Sequence, residues 1–166
     1  MSVCIIKIII KTQRFVAQGW MDMELNEILK MQNQIAFPLY ACSKEVIKQY
    51  RPFLDEIGLT YTQYIAMLVL MEEKACSLKD LGKKLFLDSG TLTPMLKNLE
   101  SKGFVKRTRS SVDERVLEIK ITKKGESLKD KADEIYKKLP QWSNLNCCEL
   151  KTLHNLLNKL LEEVTK

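Results

Sequence analysis

At Gly103 the hydrophobic period of the chain changes, and this constrains the fold more than any other feature. Before it, apolar residues recur every three or four positions, as on a helix. After it they alternate, as on a strand. Upstream, Ser77 is placed to cap a short helix, LKDLGKKL, with Asp80 three residues on. Asp88 or Ser89 caps a second helix, GTLTPMLKNLESK, which Gly103 ends. Pro94 lies inside that second segment, so the helix either starts close to it or bends there. Downstream, Phe104 to Arg109 and Val116 to Ile121 read as two short strands joined by the polar tip SSVDER.

The flanking segments are helical. From Glu24 to Asp55 apolar residues recur at spacings of three and four, with Pro38 predicting a kink or break and Gly58 a stop. Thr60 opens the next helix with Gln63 at the capping-box position, and that helix is apolar on most faces, so it should be central. Thr122 caps a helix from Lys123 to about Leu139, stopped by Pro140. The last helix, from about Asn146 to Val164, carries Leu150, Leu153, Leu157, Leu160 and Val164 at 3-4 spacing. Such a stripe either folds back on its own chain or pairs with a second subunit. Residues 1–23 are apolar and lack helix periodicity. They read as an upstream extension before Met21 or Met23, or as an ordered arm.

Charge sharpens this reading. The chain carries a net +6, and residues 79–124, with twelve basic and six acidic side chains, hold the whole excess. A concentrated positive field points to a polyanion partner. The five cysteines form no CxxC pair and the sole histidine is His154, so a zinc site, a disulfide framework and any cofactor are not expected. Cysteine use of this kind reads as a reducing, cytoplasmic compartment. The most apolar stretch, Val3 to Ile10, is too short for a membrane span. No nucleophile–base pair or phosphate loop speaks for an enzyme, and the strands offer no aromatic platform for RNA.

The expected fold is mainly α with a small β-hairpin (α+β): a winged helix-turn-helix over 61–122, a dimerisation helix region over 24–60, and C-terminal dimerisation helices over 123–166. In such a module the second helix enters the major groove of double-stranded DNA. Its first residues, Ser89, Gly90, Thr91, Thr93, Pro94 and Lys97, then point at base edges. The wing would place Arg115 over the minor groove, braced by Asp113 through its guanidinium. Arg107 and Arg109, with Lys106 and Lys120, would reach phosphates. A non-specific architectural DNA-binding protein is the competing reading.

Residues 87–115, LDSGTLTPMLKNLESKGFVKRTRSSVDER, resemble the DNA-binding module of the multiple-antibiotic-resistance-regulator (MarR) family, with Asp113 to Arg115 as its wing motif. NQIAFPLYACSKEVIKQY and LTYTQYIAMLVL resemble the organic-hydroperoxide-resistance branch, and the likeness spans roughly residues 31–166. It implies a homodimeric repressor on a pseudo-palindromic operator, with first and last helices forming the dimer core. It also implies a sensing cysteine in a run like LCF and two tyrosines that bond its thiolate. Here the run is Ile35-Ala36-Phe37, so the sensing position is Ala36, while the tyrosines stand as Tyr50 and Tyr61. A methyl group forms no sulfenic acid. Three routes to induction stay open: a switch through Cys42 with Cys147 or Cys148, a small aromatic ligand as inducer, or no redox role. On the last of these, Cys42 and Cys76 are simply small buried residues.

Overall fold

In a computed structural model of the chain, the described residues are Lys30, 34–110, 113–138 and 144–165. The expectations for residues 1–23 and for most of the first helix before Gln34 lie outside them. The chain forms two compact units, one over residues 44–140 and one made of 1–43 with 141–166. The first unit thus takes in more than 61–122.

Helix α1 runs Ala36–Glu56. Pro38 falls in its first turn, where no backbone N–H has an intrahelical partner, so the expected break is the helix start itself. Pro52 lies in the interior and has no N–H for the carbonyl of Lys48. The helix closes in a Schellman motif. Leu59 N–H donates to Leu54 O (3.0 Å) and Gly58 N–H to Asp55 O (3.1 Å), with Gly58 at φ +65°.

Helix α2, Tyr61–Glu73, begins with both arms of a capping box: Gln63 N–H donates to Thr60 Oγ1 and Thr60 N–H to Gln63 Oε1. Ala66, Met67 and Leu70 are fully buried, which makes this helix central as expected.

Next comes a strand that the periodicity did not disclose. Strand β1, Ala75–Ser77, pairs antiparallel with β3, Leu117–Ile121, placing Cys76 opposite Ile119. Strand β2, Val105–Arg109, pairs with the other edge of β3, so the expected hairpin is a three-stranded sheet of order β1-β3-β2. Three residues are too few to display alternation.

Helices α3, Leu78–Leu85, and α4, Ser89–Ser101, pack on this sheet. Leu81, Leu92, Leu96 and Leu99 join Met67, Leu70 and Ile119 in one core. Burying each such side chain contributes about 1.5–3 kcal/mol. A second cluster gathers Leu54, Tyr64, Ala132 and Ile135.

The helix expected from Lys123 to Leu139 is two helices, α5 (Lys123–Glu126) and α6 (Leu128–Lys138). Thr122 caps the first, accepting from Gly125 N–H. Ser127 interrupts, its hydroxyl donating to Lys124 O at 2.8 Å. This local bond competes with the helical ladder. Gly125 is required because a Cβ there would collide with the carbonyl of Phe104.

In the other unit, α7 spans Cys147–Val164. Asn146 caps it by accepting from Cys148 and Glu149 N–H, and Glu149 returns the bond to Asn146 N–H. Leu150, Leu153, Leu157 and Val164 are exposed and Leu160 is half-buried, so the described residues of this chain leave the stripe largely uncovered. Among the described residues, no helix is long and apolar enough to cross a membrane.

Candidate nucleic-acid interface

Several contacts set the pose of α4. Gly82 of α3 admits close approach: a Cβ there would come 2.8 Å from Leu87 O and 3.1 Å from Leu92 Cδ1. The tight turn is closed by Leu87 N–H donating to Gly82 O, with Phe86 in the left-handed region (φ 54°, ψ 39°). Asp88 then caps α4, accepting from Thr91 N–H at 2.9 Å and Thr91 Oγ1 at 3.1 Å. These bonds hold its carboxyl below the usual range, the backbone N–H contributing most. Ser89 is therefore the first helical residue, and Asp88 is the cap.

Beyond the cap, Ser89, Gly90, Thr91, Pro94 and Lys97 are exposed and Thr93 is half-buried. Thr93 Oγ1 donates back to Ser89 O at 2.7 Å. Both threonine hydroxyl protons are thus spent within the helix turn. Outward they present lone pairs and methyl groups, suited to accept from a base amino group or to touch a thymine methyl. Pro94 is the sixth helical residue, and α4 passes through it as helix.

A further contact corrects the sequence expectation. Arg107 does not reach outward: its Nε donates to Glu100 Oε2 (2.8 Å), its Nη2 lies 2.6 Å from the same oxygen, and its backbone N–H donates to Glu100 Oε1 (2.8 Å). The pair clamps β2 to the C-terminal half of α4. The Arg107 backbone N–H, then its guanidinium, hold the Glu100 carboxyl below its ordinary range. Opposite charges flanking the Gly103 turn were the available signal for this contact.

On the wing, Arg109 and Arg115 are exposed, and Arg109 Nη1 makes a long contact to Arg115 O at 3.5 Å. Asp113 Oδ1 accepts from the backbone N–H of Arg115 at 2.9 Å, so it shapes the turn where a brace to the guanidinium was expected. Val116 N–H donates to Asp113 O and Ser110 N–H to Val116 O, closing the base of the wing. Lys120 pairs with Glu118 at 2.9 Å, and Lys106 is exposed.

The positions tied to sensing fall as follows. Tyr50 and Tyr61 meet edge to face with centroids 5.2 Å apart, and Tyr64 joins them 6.2 Å from Tyr50. Burial, then the neighbouring Tyr50, Tyr61 and Asp133, raise the Tyr64 phenol. Ala36 is the first residue of α1 and is exposed. Cys42, Cys147 and Cys148 are exposed, so the reading of Cys42 as a buried residue does not hold. Cys76 is half-buried in β1, its thiol pushed up to about 11 by burial and by the nearby Glu73.

Residues 48–132 match the family model described as transcriptional regulator SarA/Rot. The organic hydroperoxide resistance transcriptional regulator of Bacillus subtilis is 46% identical over 134 residues, covering 81% of this chain and 91% of that protein. Among solved structures, reduced AbfR bound to DNA superimposes with a TM-score of 0.73 at 34% identity, covering 87% of this chain and 100% of that one. Disulfide-formed AbfR gives 0.59 at 36% identity, covering 82% and 96%.

Proposed function

The chain belongs to the MarR family of winged-helix transcriptional regulators, in the organic-hydroperoxide-resistance branch, and on that premise we propose that it is a homodimeric repressor whose two copies of α4 read one pseudo-palindromic operator. The observation that carries this reading is a coincidence. The segment holding the whole positive excess of the chain is the one that folds into α3, α4 and the wing, with the start of α4 exposed and its pose clamped.

Ser89, Gly90, Thr91, Thr93, Pro94 and Lys97 face base edges. Arg115 enters the adjacent minor groove, where negative potential favours a guanidinium. Arg109 and the exposed Lys106 neutralise phosphates, while Arg107 acts indirectly by holding α4 against β2. Leu150, Leu153, Leu157, Leu160 and Val164 are buried against the second subunit, with regions 24–60 and 123–166 serving dimerisation and 61–122 DNA binding. Two recognition helices must stand about 34–36 Å apart, so a small shift of the dimer helices changes affinity. The protein works by binding, in the cytoplasm, without catalysis.

A relative named for organic hydroperoxide resistance, and a neighbour solved in a disulfide form, support a response to oxidant. Ala36 removes the thiol at the family position. Among the described residues, the cysteines exposed on the surface are Cys42, Cys147 and Cys148. The test is fluorescence anisotropy on promoter DNA flanking the gene, reduced and then treated with an organic hydroperoxide. Binding lost on oxidation and restored by dithiothreitol supports a thiol switch. Tight binding indifferent to oxidant removes the redox half and leaves the repressor. Equal affinity for random DNA overturns sequence-specific recognition in favour of the architectural reading.

A further inference from the structure

Gln63 is the one buried polar side chain among the described residues, and its bonds run in a fixed order. The backbone N–H of Thr60 is a donor only, so it takes the acceptor end of the Gln63 amide, Oε1, at 3.1 Å. The donor end, Nε2, is thereby turned to α4 and donates to Asn98 Oδ1 at 2.9 Å. Asn98 must offer its oxygen to that bond, so its Nδ2 is turned away from it. Among the described residues, that Nδ2 has no partner. A main-chain N–H at the start of α2 thus decides, through two amides, which atom Asn98 shows to its surroundings.

Those surroundings are the outer side of α4. Thr91, Pro94, Asn98 and Ser101 are exposed and follow one another at spacings of three and four, so they share one side of the helix. Asn98 lies about 14 Å along the axis from Ser89, the first helical residue. A major groove is about 12 Å wide. With the first residues of α4 at base edges, Asn98 stands at the wall of the groove, where the phosphates are.

We propose that Asn98 donates from Nδ2 to a backbone phosphate of the DNA, and that Gln63 is the positioning residue that sets this donor. The inference rests on the proposed function and adds a contact that neither charge nor capping disclosed. A phosphate oxygen accepts, so it rejects an amide that shows Oδ1 and binds one that shows Nδ2. An unheld asparagine offers either atom and loses that freedom on binding. Here the choice is made before DNA arrives, which removes part of the ordering cost. The amide is neutral, so the contact adds affinity without adding a released counterion. In this it differs from Lys106, Arg109 and Arg115. Phosphates carry no sequence, so the gain is the same on any duplex.

The test uses the full chain. Its readouts are fluorescence anisotropy on promoter and random DNA, ethylation interference on the promoter, and urea midpoints. Asn98→Ala should weaken both duplexes by about tenfold, as expected for a lost hydrogen bond to a charged group, with the salt slope unchanged. Asn98→Asp separates fold from contact. Its carboxylate still accepts from Gln63, so its urea midpoint should lie nearer wild type than that of Asn98→Ala. Its outward oxygen faces a phosphate, so it should bind DNA more weakly than Asn98→Ala. Gln63→Glu keeps the acceptor for Thr60 and removes the donor. Asn98 then turns Nδ2 inward, and DNA affinity should fall by about tenfold. Gln63→Met, which frees Asn98 without adding charge, should lose about threefold and serves where the glutamate variant does not fold. In the interference pattern, one phosphate per half-site should drop out in Asn98→Ala and in Gln63→Glu while the others persist. Binding that tracks the urea midpoint across the variants, or a wild-type interference pattern in Asn98→Ala, overturns the contact. A phosphate lost in Asn98→Ala and kept in Gln63→Glu, with full affinity, overturns the role of Gln63 alone. Absence of promoter binding by the wild type overturns the proposed function, and this contact with it.

Discussion

Gln63 Nε2 donates to Asn98 Oδ1 across 2.9 Å, tying the first turn of α2 to the C-terminal half of α4. The same Gln63 closes the capping box through its Oε1, so one buried amide both starts the central helix and holds the recognition helix. Removing Asn98 leaves the Gln63 N–H groups short of a partner. Asn98→Ala should cost about 1–3 kcal/mol of stability. Urea unfolding checks this. The midpoint should fall while the slope stays constant, and an unchanged midpoint refutes the role.

Arg107 and Arg115 should separate cleanly. Arg115→Ala is expected to weaken operator binding and to reduce the slope of log affinity against log salt by about one. Arg107→Ala should lower stability, because it leaves Glu100 without the guanidinium, yet leave that slope nearly unchanged. Salt titrations of both variants decide between the two roles. A lost unit of slope in Arg107→Ala would return that arginine to the phosphates.

Glu100 makes the clamp acid-sensitive. Its folded carboxyl titrates below the ordinary value of 4.5, so its contribution is fully present above that pH and is lost as pH falls through the lower folded value. Glu100→Gln should remove this part of the dependence. Stability curves of variant and wild type should therefore converge as pH drops below 4.5, with the gap widest near neutrality. Parallel curves across that window would count against the clamp.

Leu157→Asp places a charge at the middle of the stripe on α7, where Leu157 is 41% exposed in the single chain. Burying that carboxylate in a subunit interface carries a large desolvation cost. Sedimentation should show dissociation at concentrations where the parent is dimeric. A persistent dimer would move the interface off this helix.

Much of the fold around the candidate interface was legible because its determinants are local. Caps at Thr60, Ser77, Thr122 and Asn146 act within three residues, and each is occupied. The change of period at Gly103 marks the passage from α4 to β2, and Gly103 takes φ +76°. The positive excess is a property of composition along one segment, and the resemblance to a family rests on the same stretch.

Local sequence set the helix caps, the change of period at Gly103 and the segment on which positive charge accumulates. Tertiary structure decided which of those groups face outward. It added β1 to the expected hairpin, split the helix after Thr122 and turned Arg107 inward to Glu100. It also set Asp113 on a backbone N–H. The division has a physical cause. Caps and periods depend on neighbours a few residues away, whereas β1 meets β3 across more than forty residues. Such pairings are decided by packing and desolvation among surfaces that come together only when the chain has folded.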